Sequence, residues 1–431
     1  MEKNHKITRK IPDICSIVII IGFCLVILIY ISPIWISSLK NFKETWDNKS
    51  ELNNAHSNLM SLYLASTDVR EIAISSDGKK FAVSTRSNSG VYLYNSTTKN
   101  LIWSFTKDGF ISLVPISLSS NGKYLTTGSG AFGGIYLFDT ENSSKLWFYN
   151  TSESIPPLTL TISSDGQYIG AGLGRRGTDS GRVCIFNRTD SIPLLDYSTN
   201  SSILSIAISS DGKYVIAGAQ DGKIYLFETN NSLPIWVYET DDEIASVAIT
   251  PNGQYLTAGG WDHNVYLFNS SSGIPLWNYN TGDVVYSVKI SPDGQYVLAG
   301  SGSDSINILL FNYTSSIPIW TYNARSAVLN VDFSSDGEYF VVGSVDTLYL
   351  FKEWSNKPLW SINSDRIIYS LAISPDGQYV LAGSYSGAYL IPRDYEHPPR
   401  VDLIIVMTIL YSTSVMIIMS LIYYIDKKKN L

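Results

Sequence analysis

Cysteine and histidine are scarce in this chain, with three and four among 431 residues. Cys15 and Cys24 fall inside one apolar stretch, so Cys184 stands alone in the remainder and no intramolecular disulfide framework can form there. In the strand-like run RVCIF, Cys184 reads as a small buried hydrophobe rather than a reactive thiol. The histidines outside the chain's ends, His56, His263 and His397, lie far apart in sequence. No His/Cys/Asp cluster at metal-ligand spacing and no Ser-His-Asp arrangement can be nominated, and the glycine pairs follow a repeat rather than forming a phosphate loop. The sequence therefore offers no catalytic, cofactor-binding or metal residue, and a non-catalytic protein without a cofactor is expected. Between residues 59 and 395 no run has helical length or period.

What fills that space is an eightfold repeat. Residues 290–301 and 373–384 both read ISPDGQYVLAGS. The Asp-Gly or Asn-Gly core of this phrase recurs at Asp77, Asn121, Asp165, Asp211, Asn252, Asp293, Asp336 and Asp376, every 40 to 46 residues. Within one unit, such as 242–282, four β-rich runs (IASVAIT, YLTAG, NVYLF, PLWNY) are separated by Pro-Asn-Gly, Trp-Asp-His and Ser-Ser-Ser-Gly. Gly and Asn tolerate the positive φ of tight antiparallel turns, so the runs fold back on one another. One four-stranded sheet cannot bury its own faces, whereas eight arranged radially can. The fold class expected is all-β, an eight-bladed β-propeller of four-stranded antiparallel blades over residues 59–395.

The ends are different in character. Residues 14–36 and 403–425 are apolar and long enough to span a bilayer as helices, so two transmembrane helices are expected to flank the propeller. Lys3, Lys6, Arg9 and Lys10 precede the first, and Lys427, Lys428 and Lys429 follow the second. Flanking basic residues favour the cytoplasmic side, which places tails 1–13 and 426–431 inside and everything between outside. Residues 37–58 then form a polar stalk. Removing the seven basic residues named and the acidic Glu2, Asp13, Asp402 and Asp426 from 31 basic and 38 acidic leaves 24 against 34. Such an acidic exterior speaks against nucleic acid or anionic membrane as a partner. Nine Asn-x-Ser/Thr sequons, among them Asn187, Asn230, Asn269 and Asn312, fall in this outer part.

Two families share these patterns. The SPDGQYVLAGS phrase, followed by a turn and a YLF strand, resembles WD-repeat propellers. The SGIPLWNY run, repeated around Trp103, Trp147, Trp236, Trp277, Trp320 and Trp360, is similar to the tryptophan-docked blades of quinoprotein-like eight-bladed propellers. Departures are plain: the usual Trp-Asp position reads Phe186-Asn187, Phe268-Asn269 or Phe311-Asn312, the repeated histidine is missing, and Leu195 replaces one tryptophan. The quinoprotein resemblance would imply a quinone and a Ca²⁺, but the adjacent cysteine pair that many of those enzymes carry is impossible with Cys184 alone.

Recurrence also sorts the tempting residues. The aromatic two places after each turn glycine, three in the first unit (Phe81, Tyr124, Tyr168, Tyr214, Tyr255, Tyr296, Tyr339, Tyr379), and the six tryptophans occur once per unit, so they read as packing between blades. The turn aspartates read as local turn stabilisers. Residues 59–64 stand before the first unit as a fourth strand would, and the last unit has only three strands, so 59–64 should complete the last blade and cover its edge. Strand direction then puts both tethers on the face carrying the Asp-Gly turns, which looks towards the membrane. The opposite face carries the variable loops, and Arg175, Arg176, Asp241, Asp242, Trp261, Asp262 and His263 are the candidate partner-binding residues. The expected function is a membrane-anchored, extracytoplasmic scaffold that binds or assembles protein partners, on the membrane-distal face or within the membrane. A quinoprotein-like enzyme and a glycan-binding or cell-surface structural protein are the alternatives.

Overall fold

In a computed structural model of the chain, the described residues are 68–395 apart from 87–89, 107–114, 130–133, 152–156, 303–306, 353–354, 365–366 and 386. They belong to one compact unit, Leu59–His397. Both apolar stretches, the tails, the stalk and the expected closing strand 59–64 lie outside the described residues. No helix among the described residues is long and apolar enough to cross a membrane.

The described chain is all β. Seven four-stranded antiparallel sheets and one three-stranded sheet follow one another as blades 1 to 8, at residues 69–106, 116–150, 157–199, 203–239, 244–280, 285–322, 328–363 and 368–392. Each strand pairs with its sequence neighbour, as the turn-separated runs predict. The first strand of each blade faces the axis and the fourth faces outward. Burial follows this order: the four central residues of blade 5's third strand, Asn264–Asn269, are buried, whereas its fourth, Pro275–Asn280, alternates half-buried and exposed side chains.

The ring is held at three radii. At the hub, the side chain at the third position of a first strand accepts a backbone N–H from the next blade. Val247 N–H donates to Ser205 Oγ at 3.1 Å, Val288 N–H to Ser246 Oγ at 3.1 Å, and Val331 N–H to Ser287 Oγ at 3.2 Å. Ile72 N–H donates to Ser370 Oγ at 3.2 Å, which joins blade 8 to blade 1 and closes the hub. At mid-radius, the tyrosine after the turn in blades 2, 3, 4, 5 and 7 lies on the turn glycine of the next blade. A Cβ on Gly212 would sit 2.3 Å from the Tyr168 ring, and the same crowding occurs for Gly166 on Tyr124 and Gly377 on Tyr339.

At the rim, fourth-strand tryptophans dock on the next blade. Trp147, Trp236 and Trp277 each lie 5.3 Å from Phe186, Phe268 and Phe311, and their indole N–H groups donate to the carbonyls of Arg188, Ser270 and Tyr313. The expected inter-blade role of these tryptophans is therefore what the structure has. Where Leu195 replaces tryptophan, it is fully packed and Tyr197 covers Phe227 at 5.3 Å. Cys184 is buried as expected, and burial pushes its thiol up to about 12.

Candidate functional site

Strand direction divides the loops between two faces. The turn from first to second strand carries Asp-Gly in six blades and Asn-Gly in two, and one hydrogen-bond pattern builds all eight. In blade 4, Ser209 Oγ donates to Asp211 Oδ1 at 2.6 Å, Asp211 Oδ1 accepts Lys213 N–H at 3.0 Å, and Tyr214 N–H donates back to Ser209 Oγ at 3.0 Å. The same triangle recurs from Ser75–Asp77 to Ser374–Asp376. Each turn aspartate thus commits its Oδ1 to its own turn, which accounts for its recurrence without a recognition role.

The opposite face is where the loops vary. After the second strand of blades 1, 4, 5, 6 and 7 comes a residue whose backbone N–H is tied to the connection before the blade: Arg86 to Asp68 O at 2.8 Å, Gln220 to Ser202 O at 2.9 Å, Trp261 to Glu243 O at 2.7 Å, Gly302 to Val284 O at 2.9 Å, Val345 to Ala327 O at 3.0 Å. The hydrogen bond fixes the backbone at this position, while the residue type varies from blade to blade. Arg86, Gln220, Trp261, Gly302, Val345 and Tyr385 share this crown position.

Three blades meet around one part of the crown. Arg176, in the loop between the second and third strands of blade 3, pairs with Glu243 at 2.5 Å in the link between blades 4 and 5. Gln220 of blade 4 sits between them: Gly177 N–H donates to its Oε1 at 2.9 Å, and its Nε2 donates to Glu243 Oε1 at 2.9 Å. Beside this network, Trp261 is 40 % exposed and meets Tyr286 of blade 6 edge-on at 6.4 Å. Arg175 and the side chains of Asp241 and Asp242 are exposed around it. A half-exposed ion pair contributes little stability, so the network's role is to hold the blade 3 loop against blades 4 and 5.

The structure brings together Arg176, Glu243 and Trp261 but gives two expected site residues other work. Asp262 accepts from Tyr266 Oη at 2.5 Å and from Asn264 N–H at 3.1 Å, and burial followed by this bond raises the Tyr266 phenol above its usual range. His263 turns the chain at φ 66° while its carbonyl accepts Thr281 N–H at 2.8 Å. Both shape the loop that presents Trp261. Gln220 was not expected, although its place in AQDGK, matching Trp261 in GWDHN, was the available signal.

A second concavity runs along the axis. The first strands of all eight blades line a channel of about 720 Å³. Its charged groups are paired or neutralised: Lys289 lies 3.4 Å from Asp332, and Arg70 lies 2.8 Å from Asp68 and 4.2 Å over the Tyr369 ring. Glu71 occupies the clasp position that serine holds in blades 4, 5, 6 and 8, accepts Ile116 N–H at 2.8 Å, and is pushed by burial up to about 8. No group of three or more His, Cys, Asp or Glu able to hold a metal ion occurs among the described residues.

The sequence matches the WD40 repeat family (WD domain, G-beta repeat) at residues 192–228, 233–269, 275–308, 316–348 and 356–388. Each matched stretch begins at the outer strand of one blade and ends in the third strand of the next. No curated protein sequence matches the chain. Among solved structures, the computationally designed protein Ika8 superposes with a TM-score of 0.65 at 14 % identity, covering 78 % of this chain and 99 % of the designed one. At that identity the likeness is one of fold. Repeat match, blade count and strand order agree: the chain forms an eight-bladed β-propeller, and five stretches between residues 192 and 388 match the WD40 repeat.

Proposed function

We propose that the protein is a membrane-anchored, extracytoplasmic scaffold that binds a protein partner on the crown formed by blades 3 to 6. The observation that carries this reading is the ordered cross-blade network of Arg176, Gln220 and Glu243 set beside the exposed Trp261. A large aromatic next to a guanidinium and carboxylates, on loops fixed by a rigid ring, is the composition of a protein-binding hot spot. Anchoring is supported by the apolar stretches 14–36 and 403–425 with their basic flanks.

The test uses the full chain in its own cells. A photo-crosslinking residue replacing Trp261 should capture a discrete protein, while one replacing Asp336 on the opposite face should not. With that protein in hand, Arg175→Ala/Arg176→Ala/Trp261→Ala should weaken binding by about 2–4 kcal/mol without changing the melting temperature. Undiminished binding by the folded triple mutant rejects this surface.

A further inference from the structure

The Asp-Gly face has a rim of aliphatic side chains that the fold does not require. In blades 3, 4, 5 and 6 the turn before the fourth strand presents Ile192, Leu233, Ile274 and Ile317, which are 70 %, 62 %, 75 % and 75 % exposed. Each is held outward by its backbone. The N–H of Ile192 donates to Asp190 Oδ1 at 2.9 Å, that of Ile274 to Ser272 Oγ at 3.1 Å and that of Ile317 to Ser315 Oγ at 3.0 Å, and a proline follows every one. Blade 7 makes the same turn around Lys357, whose N–H donates to Ser355 Oγ at 3.1 Å. The turn therefore accepts a charged residue, and its geometry does not explain four exposed aliphatics in consecutive blades. Isolated exposed hydrophobics are ordinary, but recurrence at one fixed position on one face marks an interaction surface.

We propose that this rim seats the propeller on a neutral phospholipid bilayer, an inference that rests on the membrane-anchored reading above. The described chain leaves blade 8 on the same face, where Arg393 N–H donates to Gln378 O just beyond that blade's Asp-Gly turn. Seven residues separate Tyr395 from the apolar stretch that begins at 403, a reach of at most about 25 Å. The tether thus holds this face close to the bilayer at blade 8. Blades 3 to 6 lie across the ring from blade 8, so their aliphatics meet the membrane where the tether cannot hold the disc down. The exposed turn carboxylates of Asp165, Asp211 and Asp293 share the face and select neutral over anionic headgroups.

The experiment uses the full chain with Cys15→Ser and Cys24→Ser, which leaves only the buried Cys184. A single cysteine, Ile274→Cys, Ile317→Cys or, on the crown, Gly177→Cys, carries an environment-sensitive fluorophore. The protein is placed in phosphatidylcholine nanodiscs with or without shallow doxyl-labelled lipid. Resistance to alkaline extraction is scored first, and a chain that washes off overturns the anchoring and the seating together. For a retained chain, probes at 274 and 317 should be quenched severalfold more than the probe at 177. Ile192→Ser with Leu233→Ser should lower that quenching, and so should replacing part of the lipid by phosphatidylserine. A retained chain whose probes at 274 and 317 are no more quenched than that at 177 overturns the seating alone, as do crosslinks between position 274 of two copies. Glycans found on Asn187, Asn269 and Asn312 of the native protein, which begin the same turns, would likewise overturn it.

Discussion

Eight copies of one turn show how a single hydroxyl sets local structure. Ser75, Ser119, Ser163, Ser209, Thr250, Ser291, Ser334 and Ser374 each donate to the turn Asp or Asn two residues on. The sequons repay the same reading, since Asn187, Asn269 and Asn312 use Oδ1 to accept both the N–H and the hydroxyl two residues later. Asx-turn chemistry accounts for their recurrence. Glu71 is the exception among the hub clasps, and its raised pKa has a direction that can be worked out. The unfolded carboxyl releases its proton near 4.5 and the folded one near 8, so between these values the unfolded state holds fewer protons and stability falls as pH rises. Arg70, turned to Asp68 and Tyr369, does not relieve it. Glu71→Gln keeps an acceptor for Ile116 N–H and removes the ionisation. Urea denaturation should show the wild type about 1–3 kcal/mol less stable at pH 8 than at pH 5 by this route, with the difference absent from the variant. Equal pH profiles for the two proteins would show that Glu71 ionises freely in the fold.

Blade-to-blade packing depends on pairs of elements, and the turn glycines separate backbone need from packing need. Gly212 and Gly337 have similar φ values, 70° and 75°. A Cβ on Gly212 would meet the Tyr168 ring of the preceding blade at 2.3 Å, while one on Gly337 would meet nothing within 4 Å. Gly337→Ala should therefore cost about 1–2 kcal/mol, the strain of a left-handed alanine. Gly212→Ala adds displacement of the Tyr168 ring and should cost about 2–4 kcal/mol. Thermal melts of the two variants give the comparison. If both lose the same stability, the tyrosine is not a fixed wedge between blades. Where the ring lies on the next blade's glycine, as Tyr168 does on Gly212 and Tyr339 on Gly377, the aromatic of one repeat needs the glycine of the next.

The propeller was legible because its signals repeat, and a pattern read eight times outweighs a weak turn or strand signal read once. Strand order, the inter-blade tryptophans and the turn aspartates all followed from recurrence. The crown network was only half legible, because Arg176, Gln220 and Glu243 lie up to 67 residues apart and meet only through ring geometry. The hub serines were in plain view in ILSI, IASV and VYSV, but a serine between hydrophobics carries no mark of the N–H it will accept from another blade. Recurrence also makes the last argument, about the outer edge of blade 8. Every WD40 match begins on an outer strand and ends on the third strand of the next blade, and the fifth stops at residue 388, inside Gly387–Pro392. By that frame we expect a fourth strand for blade 8 from the residues before Val69, where Tyr63 falls five residues before Asp68 just as Tyr238 falls five before Glu243. Tyr238 covers Phe268 of the next blade at 5.2 Å, and Tyr94, 7 % exposed, holds the place of Phe268 in blade 1. Deleting residues 59–66 should leave the hub bond from Ile72 to Ser370 but open the edge of Gly387–Pro392. We expect the full chain so shortened to melt at lower temperature and to aggregate, with faster amide exchange confined to blades 8 and 1. Tyr63→Ala should show the same local exchange more weakly, at a cost of about 3–5 kcal/mol. Unchanged melting and exchange in the deletion would leave blade 8 three-stranded and the outer ring open.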